Sequence, residues 1–176
     1  MAVDFEKLWN AYPQEYAPCC LPDGTPAFAN QCAIRFGLAL TDGGVNIAGF
    51  PGVRCWHKHG GRHLLRGEEV VVWMKKNRSV FGNVEIYQSA DQSTFQGRKG
   101  LIFCRNFWGP GNQGDHIDLW NRTYLKSGNP DYISRSQEVW FWEMEAYTIA
   151  TDELKEELEG TLNLRKKIRQ GKGKSK

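Results

Sequence analysis

The sequence predicts an α+β domain, with helices in its first half and an antiparallel sheet in its second. Two patterns carry that expectation. Early apolar residues recur at helical spacing, in Phe5, Leu8 and Trp9 and again in Ile34 and Leu38. Later segments alternate, as in Gly114-Asp115-His116-Ile117-Asp118-Leu119-Trp120, where His116, Asp118 and Trp120 share one face. A third observation sets the size. The chain has 176 residues, 40% of them hydrophobic, with seven Trp and nine Phe, enough for one aromatic-rich core.

Asp4 caps a first helix over 4–11. Residues 13–28 form a loop punctuated by Pro13, Pro18, Pro22-Asp23-Gly24 and Pro26. Asn30 stands where its side chain accepts from the first free N–H groups of a second helix. That helix carries Cys32 and stops at Thr41-Asp42-Gly43-Gly44. Residues 45–61 read as irregular. A third helix is expected over 62–77, with Leu64, Leu65, Val71, Val72 and Met74 inward, although Val70-Val71-Val72 also suits a strand. A short helix or turn follows over 89–96, then strands over 99–105, 115–120 and 138–145. Residues 152–170 read as a charged helix with Leu154, Leu158 and Leu162 at i,i+4 steps. One domain is expected over 1–164, and a basic, disordered tail over 165–176.

Charge narrows the function classes. The net charge is +3, from 23 Lys and Arg against 20 Asp and Glu, but 165–176 holds seven of those bases and no acid. The rest of the chain therefore carries 16 bases against 20 acids, a net −4. Nucleic acid is not the expected partner of such a body, although the tail keeps an anionic surface open as an alternative. No run of about 18 apolar residues appears, so no membrane span is expected. Residues 1–12 lack an apolar core, so no Sec-type signal peptide is expected and export takes another route. Five cysteines (19, 20, 32, 55 and 104) leave at least one thiol unpaired, with Cys32 the foremost candidate. A disulfide from Cys19 or Cys20 to Cys55 or Cys104 stays open.

A cysteine at a helix start lies at the positive end of the helix dipole, which favours the thiolate. An early helical cysteine followed by a later strand histidine is the chain order of papain-like cysteine hydrolases. Cys32 and His116 are thus the candidate nucleophile and base, against the simpler readings of a buried thiol and a hydrogen-bonded histidine. A third group should orient the imidazole. A two-residue turn at Asn121-Arg122 would set Trp120 opposite Thr123 and His116 opposite Ser127. Two carboxylates compete with that serine: Asp118, about 6–7 Å along the strand from His116, and Asp131, beyond Asn129-Pro130. Asn30, Trp108 and Trp120 are the candidates for lining the substrate cleft. Cys55, His57, His59 and His63 are metal-ligand residue types, but their spacing matches no standard zinc motif, so they read as a polar loop and no metal is expected.

These motifs bear a resemblance. Phe28-Ala29-Asn30-Gln31-Cys32-Ala33-Ile34-Arg35 resembles the Phe-x-Asn-x-Cys-x-Ile-Arg signature of the type VI secretion amidase effectors, fourth class. Gly97-Arg98-Lys99-Gly100-Leu101-Ile102 resembles their Gly-x-Lys-Gly-Ile segment, and Gly114-Asp115-His116-Ile117-Asp118-Leu119-Trp120-Asn121 resembles Gly-His-x-x-Leu-Trp-Asn. The similarity runs over about residues 4–145. It implies an NlpC-type papain-like fold and a Cys-His-Asp triad that includes Cys32 and His116, with no cofactor. The implied substrate is the peptidoglycan stem peptide, cut between γ-D-glutamate and meso-diaminopimelate. Delivery by the type VI apparatus into the target-cell periplasm and a cognate immunity protein are implied too. The family aspartate falls at Ser127, which leaves Asp118 and Asp131 open as the third residue. Two rival readings are a cysteine hydrolase of another amide or ester, and a binding module that uses the basic tail.

Overall fold

The computed structural model describes residues 3–14, 16–57, 62–109 and 114–145. The helix expected over 152–170 and the tail lie outside them, as do the limits drawn at 164 and 165. The Asp4 carboxylate accepts from the Lys7 amide at 3.2 Å and starts α1 (Phe5–Ala11). Phe5 and Leu8 are buried, while Trp9 is half-buried. The second helix, α2 (Cys32–Asp42), buries Ala33, Ile34 and every residue from Phe36 to Leu40, because it is enclosed on most of its circumference.

The third helix, α3 (Gly67–Lys76), begins five residues later than the sequence suggests. Residues 53–55 and 63–65 pair their backbones first: the Cys55 amide donates to the His63 carbonyl at 2.9 Å and the Leu65 amide to the Val53 carbonyl at 3.2 Å. Leu64 is therefore core in an extended segment, and Val72 faces outward with 41% exposure. After α4 (Arg78–Phe81) come β1 (Glu85–Tyr87) and a 3₁₀ turn (Gln92–Phe95) whose start is capped by Asp91. The remaining elements are β2 (Lys99–Arg105), β3 (His116–Asn121), β4 (Tyr124–Leu125), α5 (Asp131–Arg135) and β5 (Glu138–Glu145).

The five strands form an antiparallel sheet in the order β1-β5-β2-β3-β4. Alternation splits its side chains between two cores. Leu101, Phe103, Ile117, Leu119 and Trp142 pack with α1, α2 and α3. Ile102, Cys104, Trp120, Val139 and Phe141 pack with the 3₁₀ turn and α5. Central β2 is consequently buried along its whole interior, as a strand covered on both faces must be. Gly100 sits where β2 slips register against β5; a Cβ there would stand 2.3 Å from the Trp142 carbonyl oxygen, so the backbone approach requires glycine.

The β3–β4 turn differs from the expectation by one residue. Trp120 pairs with Leu125 and Asn121 with Tyr124, so the two turn residues are Arg122 and Thr123. Arg122 takes the left-handed conformation (φ 61°). Pairing then stops early. After the Lys126 amide donates to the Leu119 carbonyl (2.8 Å), the chain leaves the ladder and the His116 end of β3 is left as an open edge.

Candidate active site

The start of α2 meets that open edge. Asn30 Oδ1 accepts from the Cys32 amide at 3.2 Å, which fixes the helix entry, and Cys32 Sγ lies 3.9 Å from the Asp115 carbonyl oxygen, next to His116. His116 Nε2 is 3.1 Å from Asp118 Oδ2 and 3.3 Å from the Ser127 carbonyl oxygen. The other ring nitrogen, Nδ1, is left for the thiol of Cys32, whose proximity helps to raise the imidazole pKa. Helix start, strand end and the turn after β4 thus bring Cys32, His116 and Asp118 together.

Asp118 is fully buried and its acceptors are filled. Oδ1 accepts from the Leu119 amide and Oδ2 from the Ser127 amide, each at 2.8 Å. The Ser127 hydroxyl lies 3.4 Å from Oδ2 and 2.9 Å from the Tyr12 hydroxyl. Burial raises the Asp118 pKa, against the hydrogen bonds from His116, Leu119 and Ser127. Burial opposes the charged form of His116, but hydrogen bonding to Asp118 and Cys32 outweighs it and pushes the imidazole pKa up to about 10. The ring is accordingly held as imidazolium at neutral pH. Burial and the Asp118 charge raise the Tyr12 pKa, which keeps the phenol neutral.

The turn after β4 also fixes the imidazole sterically. Gly128 has φ 82°, and a Cβ on it would stand 2.7 Å from His116 Nε2 and 3.1 Å from the Tyr132 ring. Only glycine accepts both the conformation and the contact. Tyr132 packs edge-on against His116 with centroids 5.1 Å apart.

Two of the other sequence candidates occupy the rim. Asn30, Cys32, Trp108 and Asp115 help to line a cleft of about 500 Å³, with Glu68 and Glu69 on its far wall. A second cleft of about 330 Å³ opens on the other side of Cys32, between Arg35, His116 and Tyr132. Trp108 is 66% exposed and available to a ligand. Trp120 is not: it is fully buried, and its Nε1 donates to the Phe95 carbonyl at 2.8 Å, so it belongs to the core. Asp131 is exposed at the start of α5, its amide donating to Asn129 Oδ1 at 3.0 Å, and the structure does not bring its carboxylate to His116. Ser127 does reach the histidine, though through its carbonyl rather than by facing it across a ladder.

Tyr12, Gly128 and Tyr132 were not legible as site residues. Tyr12 is separated from Ser127 by 115 positions, and no local pattern marks it. The cluster read as a polar loop is also not wholly polar or exposed. Cys55 and His63 are buried, His57 is half-buried, and His59 lies outside the described residues.

A cysteine at the start of a core helix, facing a histidine at the start of a strand in an antiparallel sheet, defines a papain-like α+β protein. Comparison with known proteins agrees. The Tae4 of Enterobacter cloacae superposes with a TM-score of 0.64 at 17% identity, over 82% of this chain and 98% of that one. The Tae4 of Salmonella typhimurium, solved in complex with the immunity Tai4 from Enterobacter cloacae, gives 0.63 at 21% identity, over 81% and 99%. Comparison with curated proteins gives no match. The family model for the type VI secretion system amidase effector protein 4, Tae4, matches residues 28–142, and the chain belongs to that family. It is an antibacterial amidase effector directed at peptidoglycan.

Proposed function

We propose that the protein hydrolyses the γ-D-glutamyl–meso-diaminopimelate bond of peptidoglycan stem peptides through a cysteine acyl-enzyme. The observation that carries this reading is the buried His116–Asp118 pair, hydrogen-bonded at 3.1 Å and set beside the half-buried Cys32, which lines two clefts. Sγ of Cys32 attacks the γ-glutamyl carbonyl, and its proton resides on His116. The oxyanion displaces Asn30 Oδ1 from the Cys32 amide, so a donor already at the helix start is turned to the new charge. His116 protonates the leaving diaminopimelate amine, then takes a proton from the water that releases the glutamyl acid and frees the thiol. Asp118 holds the ring with Nδ1 toward the sulfur and balances its charge.

Trp108 and the Glu68–Glu69 wall border one side of the scissile bond, and Arg35 the other, where it suits a stem-peptide carboxylate. The reaction needs no cofactor. The family and fold support delivery by the type VI apparatus, action in the target-cell periplasm and a cognate immunity protein that occludes the clefts. Among the described residues no helix is long and apolar enough to cross a membrane. Digestion of Gram-negative peptidoglycan with wild type, Cys32→Ala and His116→Ala, read by mass spectrometry, tests the proposal. Wild type alone should release fragments ending in D-glutamate. Cleavage at another bond, or undiminished cleavage by Cys32→Ala, overturns it.

A further inference from the structure

The residue before the nucleophile grips a distant loop. Gln31 is buried; its Nε2 donates to the Cys19 carbonyl at 2.9 Å and its Oε1 accepts from the Cys19 amide at 3.2 Å. The grip leaves the Cys19 thiol hydrogen-bonded to the Cys55 thiol at 3.4 Å, with no disulfide between them. Cys55 and His63 are joined by a backbone hydrogen bond of 2.9 Å, next to the Arg54–Leu64 bridge. The result is convergence. The ligand atoms of Cys19, Cys55 and His63 all lie within 4.8 Å of one another, and all three residues are buried. Ile34 and Leu38 of α2 pack against the two cysteines.

Two thiols and an imidazole, buried together, have the composition of a structural metal centre. With metal–sulfur bonds of about 2.3 Å and metal–nitrogen bonds of about 2.0–2.1 Å, ligands on a tetrahedral ion stand roughly 3.3–3.8 Å apart. Two sulfurs on one ion stand at the upper end, about 3.8 Å, and the two thiols at 3.4 Å need part by only a few tenths of an ångström. Soft sulfur with imidazole selects zinc over magnesium or calcium. A Cys19–Cys55 disulfide would engage only two of the three converging groups. We infer that Cys19, Cys55 and His63 bind a structural zinc ion. On binding, each thiol releases its proton to solvent, two zinc–sulfur bonds and one zinc–nitrogen bond form, and one tetrahedral position remains for water or another donor. The ion staples the loop before α2 to the 55–63 loop and, through Gln31, supports the start of the helix that presents Cys32. It takes no part in hydrolysis, so the inference stands apart from the substrate reading.

Elemental analysis of the full chain, purified under reducing conditions and supplied with zinc, should find about one zinc per molecule. Cys19→Ser, Cys55→Ser and His63→Gln should each lose the ion, while Cys20→Ser keeps it. Cobalt in place of zinc should give thiolate-to-cobalt charge-transfer absorption, a reading on the wild type that survives if a variant fails to fold. Chelation should lower the melting temperature and expose two more thiols to a disulfide reagent. Reduced wild type that takes up no zinc, or a cobalt spectrum without the thiolate band, overturns the inference. So does a Cys19–Cys55 disulfide in protein that binds no zinc once reduced.

Discussion

Asp118 stands two residues from His116 on the same strand, and its Oδ2 lies 3.1 Å from the imidazole Nε2. The geometry is unambiguous about which carboxylate meets the ring, and kinetics should follow it. Asp118→Asn is expected to lower kcat by about 10²–10⁴-fold, the range seen when a triad carboxylate is lost. Asp131→Asn should leave kcat within about twofold, since its exposed carboxylate touches nothing in the site. Steady-state assays on a soluble muropeptide compare the two. His116 gives a pH prediction. Its pKa rises from 6.5 in the unfolded chain to about 10 in the fold, so the folded state binds the proton more tightly. The stability this contributes is full below pH 6.5 and is lost as pH climbs through 10. Denaturant titrations of wild type and His116→Gln should therefore show a wild-type advantage that shrinks over that interval, and a flat or growing difference would contradict the assignment.

At the scale of elements, the two tryptophans of the proposed cleft separate cleanly. Trp120→Phe removes one buried hydrogen bond and leaves the Phe95 carbonyl with the Arg98 amide alone, which should cost about 0.5–1.5 kcal/mol of stability with KM unchanged. Trp108→Ala should raise KM with little change in denaturation midpoint, because its ring is mostly in solvent. The same contrast explains what was legible in the sequence. The starts of α1 and α2 and the three long strands carry local signals, caps and periodicity, and all appear within a residue or two of the expected bounds. Cys32 and His116 open two of those elements, and Asn30 stands two residues before the first, so local signals sufficed to single them out as candidates. The misses come from pairing between distant segments. Alternation puts Trp120 on the histidine's face but does not reveal that the 3₁₀ turn covers it. The β3–β4 register depends on Arg122 adopting a left-handed conformation that Asn121 suits better by type. Residues 62–66 are held extended by backbone bonds to 53–55, which overrode the helical spacing of Leu64. The cysteine count raised a Cys19–Cys55 pairing only as one of several disulfides, and nothing local added His63, which lies 44 positions from Cys19.

For the whole molecule, both cores meet the central sheet, and the site lies where its edge is left open to the helix start. That edge is the region an occluding immunity protein must reach, and both clefts beside Cys32 open there. A chain ending at Leu164 should keep its peptidoglycan hydrolysis within about twofold while losing seven positive charges. Turnover assays of the shortened protein at low and high salt check this, and a collapse of activity at both would assign the tail a catalytic task.

The 126–128 segment serves His116 and Asp118 almost entirely with main-chain atoms: the Ser127 amide, the Ser127 carbonyl and the bare Cα of Gly128. The Ser127 hydroxyl adds contacts to Asp118 and Tyr12, but the main-chain contacts are open to every residue type except proline, so position 127 tolerates a change of side chain better than a change of spacing. What cannot drift is length. Inserting a single residue between Leu125 and Gly128 would slide the amide off the carboxylate and drive a side chain into the imidazole. Selection on this hairpin therefore acts as a ruler rather than an alphabet, and a library randomised at 127 should recover many active members where a one-residue insertion library recovers none.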